Sequence, residues 1–182
     1  MKRIVFKSIA AMVTIMLALT VPTAPMAHAS QIPEGYITHE LTGFVVSLPA
    51  EFIKSEGWSS ETNMSLNSDK VLQWDDGDEY SSSATINVYD FEGDIGNLSE
   101  YANNMLWSVK ALDETCDEPV VSANTVLLRS TSEVGDGIMI NWRFLVVNDD
   151  GKIAGGTISY RGEEAKYYDG IVEPIIHSIT FK

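Results

Sequence analysis

The stretch that decides the fold is GIMINWRFLVVNDDGKIAGGTISY, residues 137–160. In its first part every second residue is apolar: Ile138, Ile140, Trp142, Phe144 and Val146. This alternation predicts a long β-strand, because successive side chains of a strand point to opposite faces. The other face carries Met139, Leu145 and Val147, so both faces are largely apolar. Such a strand is typical of the centre of a sheet that is covered on both sides.

The second part of the stretch predicts a hairpin. NDDG, from Asn148 to Gly151, can form a tight turn because Asp-Gly tolerates the positive φ angles that such turns need. KIAGGTISY then provides the returning antiparallel strand. Two adjacent glycines, Gly155 and Gly156, predict either a bulge or the close approach of another element at this point.

Further strands are predicted on both sides of this hairpin. GFVVSLPAEF (43–52) and SATINVYDF (83–91) alternate in the same way, while KVLQW (70–74) and NTVLLRS (124–130) form shorter strands. The inward-facing residues of the first two are Phe44, Val46 and Leu48, and Ala84, Ile86 and Val88. The sequence therefore predicts an antiparallel sheet of about six to seven strands.

Two helical segments accompany these strands. Asn97 can cap a helix, and an apolar stripe with helical spacing follows it: Leu98, Tyr101, Met105, Val109 and Leu112. A second apolar series lies near the C-terminus: Tyr168, Ile171, Val172, Ile175 and Ile179. Pro174 interrupts this series, so the second helix is predicted to be short or kinked. The fold class is therefore α+β, an antiparallel sheet packed with helices.

The N-terminal residues predict export from the cell. Lys2, Arg3 and Lys7 precede an apolar run of about thirteen residues, and Ala27-His28-Ala29 follows it. This order is typical of a cleaved secretory signal peptide, and the run is shorter than the ~20 residues of a membrane-spanning helix. We therefore expect a signal peptide at residues 1–29, a single α/β domain at residues 30–182, and a secreted, extracellular protein.

The charge of the chain limits its partners. Residues 30–182 keep all twenty-six acidic residues but only nine of the twelve basic ones, which leaves a formal net charge of −17. Such a chain repels nucleic acid and anionic lipid, because binding either of them requires Lys and Arg. A single cysteine, Cys116, excludes an internal disulfide. After signal cleavage no transmembrane segment is expected.

The order of elements resembles the PsbP-like family of bacterial and chloroplast proteins. The resemblance is carried by GFVVSLPAEF, by the helix entry NLSEYANNML (97–106), and by the I-x-x-S-I pattern of Ile175 to Ile179. A three-strand meander lies between the last two. The resemblance implies an α/β sandwich with an antiparallel sheet, and non-enzymatic binding or assembly roles outside the cytoplasm. It brings no catalytic residue and names no partner.

An acidic loop is the candidate metal site. Asp75, Asp76, Asp78 and Glu79 surround Gly77 between two predicted strands. Their spacing differs from that of a calcium loop, which has acids at alternate positions, but clustered carboxylates can still hold calcium weakly. A metal-dependent or triad hydrolase that uses Asp76, Asp78 or His39 is an alternative. The sequence contains no Gly-x-Ser-x-Gly elbow, no His-Glu-x-x-His motif and no Gly-rich phosphate loop.

A second acidic group follows the predicted strand at residues 83–91. Asp90, Glu92 and Asp94 lie at the far end of this strand from the acidic loop. The two groups therefore cannot form one site. A helix is predicted to begin near Asn97, and the positive end of its dipole stabilises acidic side chains that lie close to its N-terminus.

Three aromatic residues beside polar or acidic segments are candidate partner-binding residues. Trp58 lies in the polar stretch SEGWSSET, Trp74 directly precedes the acidic loop, and Tyr80 follows it. The sequence therefore predicts a secreted, non-enzymatic binding or accessory protein that has no cofactor apart from a weakly bound calcium ion. Its partner would be an unidentified protein or small molecule. A further alternative, based on the charge of −17, is a chaperone or neutraliser of a co-secreted cationic protein.

Overall fold

The structure is a computed structural model that describes residues 33–91 and 96–182. The signal peptide predicted at residues 1–29 lies outside the described residues. The strands are β1 (Tyr36–Glu40), β2 (Phe44–Pro49), β3 (Phe52–Lys54), β4 (Asn63–Ser68), β5 (Val71–Gln73), β6 (Glu79–Ser81), β7 (Thr85–Phe91), β8 (Thr115–Cys116), β9 (Val120–Val121), β10 (Thr125–Val134), β11 (Gly137–Val147), β12 (Ile153–Arg161) and β13 (Thr180–Phe181). The α-helices are α1 (Leu98–Lys110), α2 (Ala165–Tyr168) and α3 (Val172–His177), with 3-10 helices at Glu56–Trp58, Gly162–Glu164 and Asp169–Ile171.

A large antiparallel sheet forms the centre of the fold. Its strands lie in the order β3-β4-β7-β12-β11-β10-β8, and β9 also pairs with β10. Strand β11 lies between β10 and β12, which confirms the central position predicted from its two apolar faces. The hairpin predicted at Asn148 to Gly151 is also confirmed: the Asn148 N–H donates to the Lys152 carbonyl, and Gly151 has φ of 78°.

Apolar layers cover both faces of this sheet. On one face, β2 and α3 pack against the inner residues of β7 and β11. Strand β2 contributes Phe44, Val46 and Leu48 to this layer. These β2 residues belong to a second, three-stranded sheet in the order β1-β2-β13. On the other face, Ala102 of α1 packs against Leu145 and Ile153. The predicted α+β architecture is therefore confirmed, with the main sheet as the middle layer.

The predicted number of strands is wrong. We expected about six to seven strands in one sheet, whereas the main sheet alone has eight and the described residues contain thirteen. Of the additional strands, β1 and β4 have five and six residues, and the other five have only two or three residues, as in β8, β9 and β13. Segments of this length carry too few residues to show an alternating pattern, because two residues cannot define a period.

Both predicted helical segments are present, with one difference in α1. The side-chain oxygen of Asn97 accepts a hydrogen bond from the Ser99 N–H at 2.8 Å, so Asn97 is the N-cap of α1. Leu112 lies beyond the end of α1 and is 68% exposed, so it does not belong to the buried stripe. At the C-terminus, the short helix α3 contains Pro174 in its first turn, where a proline costs no intrahelical hydrogen bond.

Strands β5 and β6 form a separate two-stranded hairpin beside the main sheet. Leu72 of β5 is buried in the larger core and attaches this hairpin to the body of the protein. The acidic loop predicted at residues 75–79 is the connection between the two strands. No helix among the described residues is long and apolar enough to cross a membrane.

Candidate functional site

The tip of the β5–β6 hairpin is an ordered turn. The Trp74 N–H donates to the Asp78 carbonyl at 2.8 Å, and the Gly77 N–H donates to the Trp74 carbonyl at 3.0 Å. The Asp78 N–H donates to Asp76 Oδ1 at 3.2 Å, and Gly77 has φ of 96°, which favours glycine. The turn is therefore closed by its own hydrogen bonds, and the Asp76 side chain takes part in them.

Tyr168 of α2 fixes the base of the same hairpin. Its hydroxyl lies 2.8 Å from Ser68 Oγ at the end of β4 and 2.8 Å from Ser82 Oγ just after β6. The Ser82 N–H also donates to the Lys70 carbonyl at 2.9 Å. The two chain segments that enter and leave the hairpin are thus joined to each other and to α2.

Glu164 forms a second, fully buried connection. Its Oε1 accepts the Ser83 N–H at 2.8 Å, and its Oε2 accepts the Ser83 hydroxyl at 3.2 Å and the Arg161 N–H at 3.1 Å. The carboxylate therefore ties the 3-10 helix Gly162–Glu164 to the residues that follow β6. As a result, the hairpin and the segment around Glu163 form two walls with a fixed relation to each other.

Trp74 and Tyr80 stack against each other on the hairpin. Their ring centroids are 4.0 Å apart and their planes differ by 20°. They occupy diagonal positions across the two strands, which long aromatic side chains can bridge. Trp74 remains 38% exposed. Burial, and then the carboxylates of Glu164 and Glu163, raise the pKa of the Tyr80 phenol.

An open groove of about 790 Å³ lies between the hairpin and the helical segment. The aromatic pair and Gln73 line it together with five carboxylates and one ammonium group: Asp75, Asp76, Asp78, Glu79, Glu163 and Lys166. The Lys166 Nζ atom lies 3.9 Å from Asp75 Oδ1 and 5.1 Å from the ring centroid of Tyr167. We call this region the acidic groove. It has a strong negative charge beside a flat aromatic surface.

The structure brings most of the predicted site residues together. Both the four acidic residues of the loop and the pair Trp74 and Tyr80 line the acidic groove. Trp58 does not line it; this residue ends the 3-10 helix Glu56–Trp58 and is 79% exposed. His39 does not line it either, since it lies on β1 opposite Val46. Burial, and then the charge of Lys54, lower the pKa of His39.

The predicted separation of the two acidic groups holds where it can be observed. Asp90 lies within β7, opposite Ala154, and does not line the acidic groove. Glu92 and Asp94 lie outside the described residues.

In residues 33–91 and 96–182, no group of three or more His, Cys, Asp and Glu side chains is arranged to hold a metal ion. The calcium site at the acidic loop stays a prediction.

Sequence reasoning missed the second wall of the groove. Glu163, Lys166 and the two connecting residues Glu164 and Tyr168 come more than eighty residues after the acidic loop. No periodic pattern indicates that these residues face the hairpin. The adjacent pair Glu163-Glu164 looks uniform in sequence, yet one carboxylate is exposed and the other is completely buried.

Comparisons with known proteins address the fold. No model of a protein family matches the sequence, and no curated protein matches it either. Among solved structures, the chain is similar to the Ran-binding protein Mog1p of Saccharomyces cerevisiae, at 13% identity, with a TM-score of 0.54, over 80% of this chain and 94% of Mog1p. The chain has a Mog1-like fold. A point mutant of protein Mog1 matches with the same identity and TM-score, over 80% of this chain and 95% of the mutant. At such an identity the similarity concerns the fold alone.

Proposed function

We propose that this protein is a secreted, non-enzymatic binding protein whose acidic groove captures a cationic segment of a partner protein. The observation that carries the proposal is the stacked pair Trp74 and Tyr80 inside a groove with five carboxylates. Lysine and arginine side chains are attracted both to carboxylates and to the faces of aromatic rings. Arginine also stacks its planar guanidinium group on such rings.

The groove already holds one cation of the protein itself. Lys166 contacts both a carboxylate, at Asp75, and an aromatic ring, at Tyr167. This arrangement is an intramolecular version of the contacts that we propose for the partner. Lys166 would therefore compete with an incoming cationic side chain for the same carboxylates.

Other observations support a binding role. The net charge of −17 for residues 30–182 attracts cationic proteins over a distance of about one Debye length. The resemblance to PsbP-like proteins implies non-enzymatic binding outside the cytoplasm, and Mog1p is described as a Ran-binding protein. The predicted signal peptide supports an extracellular partner. Neutralisation of a co-secreted cationic protein would be one use of the same groove.

Replacing Trp74 with alanine should weaken the binding of a short Lys/Arg peptide by about fivefold to tenfold. The substitution removes the ring that faces the cation, and such contacts contribute ~0.5–2 kcal/mol. Isothermal titration calorimetry with a capped peptide of alternating Arg and Ser residues measures the change. Trp58→Ala is the matched control, because it removes an exposed tryptophan outside the acidic groove, and it should bind as the wild type does.

Replacing Lys166 with alanine should have the opposite effect and strengthen binding of the same peptide by about twofold to fivefold. The substitution removes a competing positive charge next to Asp75, and exposed charge pairs contribute ~0.2–1 kcal/mol. Raising the salt concentration should weaken binding to both proteins. Equal affinity of the wild type for Arg and Glu peptides, or an unchanged affinity in Trp74→Ala, would show that the groove is not a cation-binding site.

A further inference from the structure

A second cavity adjoins the acidic groove. It has a volume of about 440 Å³ and lies at the turn between β10 and β11. Its lining includes Val134, Asp136, Ile138, Arg161 and Glu163. Val134 and Ile138 are 56% and 53% exposed, although both are large aliphatic residues. The register pairs Val134 with Gly137 and Ile138 with Glu133, so the two side chains lie on opposite faces of the hairpin. The cavity therefore presents an exposed Ile138 on the face of Gly162, beside charged residues.

Glu163 joins the two cavities, because its side chain lines both. The backbone also connects them: a β-carbon built on Gly162 would lie 3.8 Å from the β-carbon of Ile138. The β10–β11 turn is compact, with Gly135 at a positive φ of 61° in the first turn position, as two-residue hairpins require. Glu163 therefore lies at the boundary of the two cavities, and Gly162 next to it lies against Ile138.

We infer that the two cavities form one binding track for an extended peptide segment in which basic residues are followed or preceded by aliphatic residues. This inference rests on the proposed function of the acidic groove and specifies the partner's chemistry. Charge complementarity selects basic side chains for the groove at Trp74. The exposed Ile138 selects aliphatic side chains for the adjoining cavity, since contact with it removes apolar surface from water. The rim of this cavity carries Asp136 and Glu163 together with Arg161, which pairs with Glu163 at 3.9 Å.

The test compares two capped peptides of about eight residues, which span ~26 Å when extended. One carries two arginines and two leucines at its opposite ends, and the other carries serines in place of the leucines; each is made in both orders. The full exported chain, residues 30–182, should bind the leucine peptide in one order at least about fivefold more tightly than the serine peptide. In Ile138→Ser this preference should disappear, while the affinity for the serine peptide stays unchanged.

Controls separate this inference from the proposed function. Val120→Ser removes an aliphatic residue of β9 that is 64% exposed and lines neither cavity, so it should keep the leucine preference. Unchanged serine-peptide binding shows that each variant is folded. If the wild type binds both peptides equally, or if Ile138→Ser keeps the preference, the two-cavity track is wrong and the proposal for the acidic groove remains. If neither peptide binds, or if Trp74→Ala binds the serine peptide as the wild type does, both proposals are wrong.

Discussion

Gly156→Ala should destabilise the protein by about 3 kcal/mol, because the added methyl group has no space. A β-carbon at this position would lie 2.6 Å from the backbone carbonyl oxygen of Asn87 and against the ring of Phe144. Both neighbours are fixed: Asn87 belongs to the paired strand β7, and Phe144 is buried directly opposite Gly156 on β11. Relief would therefore require a shift of the central strands.

Thermal and urea denaturation measure this effect. At roughly 2–4 °C per kcal/mol for a chain of this size, the melting temperature should fall by about 6–12 °C. Gly170→Ala is the matched control, because a β-carbon there meets no atom within 4 Å and the residue has no positive φ. This control should be neutral or stabilising by about 0.4–1 kcal/mol. Equal melting temperatures for the two variants would contradict the close packing at Gly156.

Glu164→Ala should also destabilise the protein by about 3 kcal/mol. It removes the acceptor of three partly buried hydrogen bonds, from the Ser83 N–H, the Ser83 hydroxyl and the Arg161 N–H, and each such bond contributes ~0.5–1.5 kcal/mol. The neighbouring substitution Glu163→Ala is the control, since this carboxylate is exposed and its ion pair with Arg161, at 3.9 Å, contributes little. Urea denaturation should therefore separate two variants that differ by one position in the sequence.

The substitution Glu164→Ala also connects the stability of the protein to the proposed function. Glu164 holds the two walls of the acidic groove together. Glu164→Ala should therefore weaken the binding of the Arg/Ser peptide even under conditions in which the protein remains folded. Glu164→Gln keeps the size of the side chain and one acceptor oxygen, and it should fall between Glu164→Ala and the wild type in stability. A variant Glu164→Ala that is as stable as Glu163→Ala would show that the buried hydrogen bonds do not support this region.

The amino-acid sequence by itself determined the elements that carry a repeated pattern. The alternation at residues 137–147 placed β11 at the centre of the sheet, and the turn residues Asn148 to Gly151 defined its hairpin. Asn97 marked the start of α1 correctly. The adjacent glycines of β12 predicted a bulge or a close approach, and the uninterrupted register with β11 and β7 selects the close approach. Such features depend on neighbours in the chain, which a sequence displays directly.

The tertiary structure alone decided which distant residues share a surface. It separated Trp58 from Trp74 and Tyr80, and it placed Glu163 and Lys166 opposite the acidic loop. It also made Glu164 a buried connector and left Ile138 exposed at the edge of the second cavity. The physical reason is that a β-strand or a helix imposes a period on its own residues. The meeting of a hairpin with a helical segment eighty residues later depends on how whole layers pack, which imposes no such period on the sequence.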